Sequence, residues 1–169
     1  MNTSFERTEN GKDEWLTPQF ITQPLGHFDL DPCAPINPPW EIADKKYTRI
    51  DNGLIQPWNG RVWCNPPYGR ETPKWMKLCA HHRNVIALTF ARTETKTFFP
   101  WIWLHADAIF FFQGRIVFLN IDGKPKLDKH GRPQTGGAPS CLIAYGQKNV
   151  EAIRKSGLRG KLLEIHAKT

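Results

Sequence analysis

The sequence predicts an α/β domain, a sheet with helices packed on its faces. Three observations carry this. Short apolar runs alternate along the chain with segments that open on helix-start signals. Residues 84–90 (NVIALTF) are broken only by Thr89, the pattern of a strand buried on both faces. The 169 residues are room for one domain of ordinary size and little more.

The elements follow in order. Residues 1–13 are polar and read as a mobile N-terminal arm, leaving 14–169 as the domain. Thr17-Pro18 suits a helix start, Thr at the cap and Pro in the first turn, ahead of a short helix through Phe20 and Ile21. Residues 27–31 alternate apolar and acidic and stop at Pro32, a short strand. Residues 32–60 are turn-rich, and 61–64 form a compact strand halted by Asn65-Pro66-Pro67. Thr72-Pro73 repeats the helix-start signal for a helix to about Arg83, with Trp75, Met76 and Cys79 on one side. After the buried strand at 84–90, a helix is expected over about 95–105, with Pro100 in its first turn or kinking it. Strands are expected at 108–112, 116–118, 140–145 and 161–165, with a helix over 150–156 ended by Gly157. Between them, 122–137 is a polar, basic excursion.

Composition narrows the function. Basic residues number 23 against 16 acidic, a net charge of +7 and a pI near 9.4, which favours a polyanionic partner, nucleic acid first. No stretch reaches the ~20 apolar residues of a membrane span, and the N-terminus lacks the apolar core of a signal peptide. Cys33, Cys64, Cys79 and Cys141 stand far apart without a C-x-x-C pair, so a reduced, cytoplasmic protein is the expectation. The six histidines have neither metal-ligand spacing nor an evident acidic partner in sequence, and no metal is expected.

The chemistry concentrates in Asn65-Pro66-Pro67-Tyr68, which follows a strand, where open α/β sheets bind ligands. Asn65 offers an amide oxygen as acceptor. The two prolines supply carbonyls without competing N–H groups, and Tyr68 offers a flat face for a planar ring. Two acceptors beside a stacking face suit a ring bearing an exocyclic amino group, whose nitrogen lone pair they would aim at an electrophile. Asn37-Pro38-Pro39-Trp40 fits the same pattern, but Pro35 spoils any strand before it, and it reads as a turn.

The tetrapeptide resembles the catalytic loop of the amino-group DNA methyltransferases. Trp15-Leu16-Thr17-Pro18, Phe28-Asp29-Leu30-Asp31-Pro32-Cys33-Ala34, Asp51-Asn52-Gly53-Leu54, Ala91-Arg92-Thr93 and Gly114-Arg115-Ile116 flank it in the order seen in the small phage-type DNA N6-adenine methyltransferases. That resemblance, spread over about residues 14–146, implies a class I, Rossmann-like domain. Its sheet would be mainly parallel, with helices on both faces and one reversed terminal strand. It implies S-adenosylmethionine as cofactor and a target adenine flipped out of double-stranded DNA. Asn65, Pro66, Pro67 and Tyr68 become the catalytic residues. Trp15, Thr17, Pro18, Asp31, Pro32 and Ala34 become cofactor residues, with Asp29 as understudy to Asp31 and Asp51 placed for the adenine moiety. The Gly-x-Gly common in methyltransferases is replaced here by Pro35-Ile36-Asn37-Pro38-Pro39, so the cofactor loop must take another shape.

For DNA, the candidates are Arg92 after the buried strand and Lys124, Lys126, Lys129 and Arg132 in the basic excursion, whose blander reading is a solvated hairpin. A monomer or weak dimer is expected. The same loop also serves methylation of RNA or of a protein amide, and a non-catalytic nucleic-acid-binding relative could keep the fold.

Overall fold

The computed structural model describes residues 15–165; the arm expected at 1–13 lies outside the described residues. A seven-stranded sheet runs in the order β2-β1-β3-β4-β6-β5-β7. Its strands are β1 (Phe28–Asp31), β2 (Ala43–Lys46), β3 (Val62–Cys64), β4 (Val85–Phe90), β5 (Ala108–Phe112), β6 (Ser140–Tyr145) and β7 (Gly160–Glu164). The first four are joined by parallel pairings, β1 with β2 and β3, and β3 with β4. The remaining three pairings, β4–β6, β5–β6 and β5–β7, are antiparallel.

The sheet is therefore mixed, which corrects the mainly parallel expectation. Two strands are reversed, and β6 lies inside the sheet between β4 and β5 rather than at its edge. The strand expected at 116–118 is not in the sheet, because β6 fills the place beside β5. Instead the segment buries Ile116 and Phe118 in the core, and Leu119 exchanges both backbone hydrogen bonds with Leu16, at 2.8 and 3.0 Å. In the turn-rich 32–60 region the structure adds β2, whose sequence (ADKK) carries little strand signal.

Helices α1 (Gln19–Thr22), α2 (Thr72–His82) and α3 (Gln147–Lys155) cover the sheet. On one face Met76, Cys79 and Ala80 of α2 join Val62, Cys64, Val85, Ala87 and Ile143; on the other Ile21, Val150 and Ile153 join Trp63, Ile86, Leu88 and Leu142. Successive residues of β3 and β4 thus feed opposite cores, which is why both strands read as unbroken apolar runs. The helix expected over 95–105 is reduced to a five-residue π-type turn, Phe99–Trp103, with Pro100 at its start. Proline withholds the N–H that a longer helix would need there.

In β1 the Arg61 carbonyl accepts from both Asp29 and Leu30, at 2.8 and 3.2 Å, two residues facing one as in a bulge. Phe28 and Leu30 consequently enter opposite cores, and the carboxylates of Asp29 and Asp31 separate. The turn after β1 is pinned by Gly53, where a Cβ would sit 1.9 Å from the Pro32 carbonyl oxygen. Gly53→Ala must push that backbone aside, and overpacking of this kind costs about 1–3 kcal/mol. We expect a clear fall in melting temperature; a variant as stable as wild type would show that the turn is not held there.

Candidate active site

Three sheet neighbours, β1, β3 and β4, run parallel and end at one edge. Asp31 closes β1, Asn65 follows β3, and Phe90 closes β4. A carboxyl, a carboxamide and an aromatic ring thereby meet at the carboxyl ends of the strands. The Asn65 amide is fixed at both ends. Its Nδ2 donates to Thr17 Oγ1 at 3.1 Å, and its Oδ1 accepts from the Tyr68 hydroxyl at 3.1 Å. The Tyr68 ring stacks on Phe90, with centroids 4.2 Å apart and planes 18° from parallel.

The loop backbone is equally determined. The Asn65 carbonyl accepts from the Cys33 thiol at 3.1 Å. The Thr72 hydroxyl donates to the Pro67 carbonyl at 3.0 Å and accepts from the Gly69 N–H at 2.9 Å. Thr72 is the first residue of α2 rather than its cap, Glu71 holding that position, so its side chain serves the loop. The carbonyl between these two, that of Pro66, has no hydrogen-bond partner among the described residues.

Beside the loop lies a narrow cleft that encloses only about 30 Å³. Of the expected cofactor residues Trp15, Thr17, Asp31 and Ala34 line it, and so does Asn65 of the catalytic loop, together with Cys33, Pro35, Pro38, Trp40, Glu41, Ile42 and Trp63. Pro18 and Pro32 are buried nearby without lining it. Asp29 and Asp51 are not brought there. Asp29 accepts from the Arg61 N–H at 2.6 Å, and exposed Asp51 caps a turn by accepting from the N–H and hydroxyl of Thr48 at 2.8 and 2.9 Å. Asn37 to Trp40 form a loop, as expected, but Pro38 and Trp40 face the cleft, a role that a turn signal alone did not announce.

Two of the basic candidates border this edge. The Arg92 guanidinium lies 5.6 Å from the Phe90 ring centroid, and Lys126 Nζ 5.4 Å from that of Trp15. Lys124 and Lys129 are exposed, and Arg132 pairs with Asp128 at 3.1 Å. At the start of β1, His27 does have acidic company, Asp44 at 2.8 Å and Asp29 at 3.8 Å, which sequence spacing concealed. This exposed trio is the one group of potential metal ligands among the described residues.

A family model described as DNA N-6-adenine-methyltransferase (Dam) matches residues 5–137. The chain belongs to the DNA N6-adenine-methyltransferase family. A curated relative, the DNA N-6-adenine-methyltransferase of Haemophilus phage HP1, is 27% identical over 145 residues, covering 79% of this chain and 82% of its own. No solved structure matches the chain. The protein is a DNA adenine-N6 methyltransferase, and methyltransferases of this class take S-adenosylmethionine as donor. Among the described residues no helix is long and apolar enough to cross a membrane.

The cleft of this methyltransferase holds one buried acid. Burial pushes the Asp31 carboxyl up from 3.8 to about 7, the Cys33 N–H opposing the rise, Glu41 adding to it and Lys46 opposing it. A cation brought beside it would favour the carboxylate and recover part of that desolvation. Without ligand, the folded protein holds a proton that the unfolded chain releases between about pH 4 and 7. Stability then falls as pH rises through that window, by about 4 kcal/mol at most. Thermal unfolding should show this decline, and Asp31→Asn should flatten it. S-adenosylmethionine affinity should rise with pH through 7 in wild type and lose that dependence in the variant. A wild-type melting temperature and affinity both indifferent to pH here would contradict the account.

Proposed function

We propose that the edge built by Asp31, Asn65 and Tyr68 methylates N6 of an adenine flipped out of duplex DNA, on a class I, Rossmann-like scaffold. The observation that carries this assignment is the Asn65 amide, with its Nδ2 engaged by Thr17 and its Oδ1 turned toward the Tyr68 hydroxyl, a donor where the substrate's amino group would stand. In catalysis the N6 hydrogens replace that hydroxyl, one on Asn65 Oδ1 and the other on the Pro66 carbonyl. The carbonyls on either side already have partners. Holding both hydrogens takes the N6 lone pair out of conjugation and aims it toward the cleft. The base stacks on Tyr68, and Phe90 backs that ring.

S-adenosylmethionine, when bound, supplies an electrophilic methyl carbon on a sulfonium. Asp31, Trp15, Thr17 and Ala34 hold it, with Pro18 and Pro32 shaping the walls behind them. Trp40, Trp63 and Glu41 complete the cleft where Gly-x-Gly is missing. The donor held there would supply its methyl group to N6, with its thioether as leaving group, and the surplus N6 proton would pass to water. Positioning supplies most of the acceleration. Asp29 and Asp51 have only supporting roles in this reading, the first tying β1 to Arg61 and the second closing its turn.

Asn65→Ala should keep the fold and cofactor binding but cut methyl transfer at least about 100-fold, since it removes a positioned acceptor. Turnover near wild type would overturn the assignment of the loop. Tyr68→Ala should weaken capture of the base, whereas Tyr68→Phe and Tyr68→Trp should keep substantial activity because stacking survives. Equal collapse in Phe and Ala would assign the work to the hydroxyl.

DNA lies across Arg92 and the 122–137 hairpin. If Lys126, Lys129 and Arg132 meet phosphates, replacing all three with Ala should raise the KM for DNA. Each lost contact should lower the slope of log K against log salt by about 0.9, with cofactor affinity unchanged. DNA affinity unaltered at low salt would return the hairpin to a solvated loop.

A further inference from the structure

The Asn65 side chain can act as an acceptor only while it is held over the loop in one position, and a hydroxyl fixed from the neighbouring wall can hold it there. We propose that Thr17 is the positioning residue that anchors the Asn65 amide, an inference that rests on reading Asn65 as the acceptor for the target amine.

The geometry is specific. Thr17 is 2% exposed, and its Oγ1 receives the Asn65 Nδ2 at 3.1 Å across a separation of 48 residues. The hydroxyl does not cap α1, whose cap position is Pro18 and carries no side-chain bond. Its place is held from two sides. Leu16 is tied to Leu119 by both of its backbone hydrogen bonds, and Pro18 leads into α1, whose Ile21 is fully buried. Thr17 also lines the cleft with Trp15, Cys33 and Asp31. One side chain thus connects the wall of the cofactor cleft to the acceptor on the catalytic loop. The bond from Cys33 to the Asn65 carbonyl fixes only the backbone, so once substrate takes the place of the Tyr68 hydroxyl the side chain is held by Thr17.

The test compares Thr17→Val, which keeps the shape and removes Oγ1, with Thr17→Ser, which keeps Oγ1 and removes the methyl. Asn65→Ala runs in parallel. Rates are measured at saturating DNA and saturating S-adenosylmethionine, so that any change in cofactor affinity does not enter kcat. We expect kcat to fall about tenfold or more in Thr17→Val, as for loss of one orienting hydrogen bond. The KM for DNA should change little, and Thr17→Ser should restore most of the rate. Should Val depress the melting temperature too far for assay, Thr17→Ala takes its place in the same comparison with Ser. Equal losses in the Ser and Val (or Ala) variants, a loss confined to KM, or a wild-type kcat without the hydroxyl would each overturn the role of Thr17. An active Asn65→Ala would instead overturn the reading of Asn65 itself.

Discussion

The parallel alignment of β1, β3 and β4 is the constraint on which everything else depends. Parallel neighbours in a sheet deliver their carboxyl ends to one edge, and here those ends carry Asp31, Asn65 and Phe90. No single segment could bring a buried carboxyl, an oriented amide and an aromatic platform together. The pairings that hold the alignment are few on the β1 side, where Leu30 faces Val62, and extensive from β3 to β6. The site sits at the seam between a well-braced half of the sheet and a lighter one whose turn is wedged by Gly53 against Pro32.

Local conflicts at this edge are resolved by function. Asp31 is buried with no direct ion pair among the described residues, and burial raises its carboxyl to about 7 at a cost in stability. The Tyr68 hydroxyl takes up the Asn65 acceptor, and the Tyr68 ring takes up the face of Phe90. The groups that the proposed reading assigns to substrate thus satisfy one another. On that reading, the buried carboxyl and the occupied acceptor are both polar groups completed by ligand.

Much of this was legible in the sequence. The strand β4, the helix start at Thr72-Pro73 and the Asn65–Tyr68 loop were readable because apolar runs and proline placement act locally. The grouping of Trp15, Thr17, Asp31 and Ala34 came from family resemblance, and the fold brings these four to one cleft. What escaped depended on distant pairing. Nothing in ADKK announces that Ala43–Lys46 joins β1 as a strand, and nothing around 140–145 says that β6 enters the sheet reversed, displacing 116–118. The bulge opposite Arg61 sends Asp29 away from Asp31, so two acidic residues of one short strand have different fates. Trp40 looked like part of a proline turn because only folding carries it to the cleft.

The central claim is that this edge places the amino nitrogen of an adenine against the donor's methyl group. Two acceptors and a stacking face could also hold the amino group of cytosine, so the identity of the product is the most direct test. Unmethylated duplex DNA would be incubated with the protein and S-adenosylmethionine labelled in its methyl group, digested to nucleosides and separated. The account predicts label in N6-methyladenosine of the deoxy series alone. Label in a modified cytosine, or an absence of label from a folded protein that binds the cofactor, would contradict it.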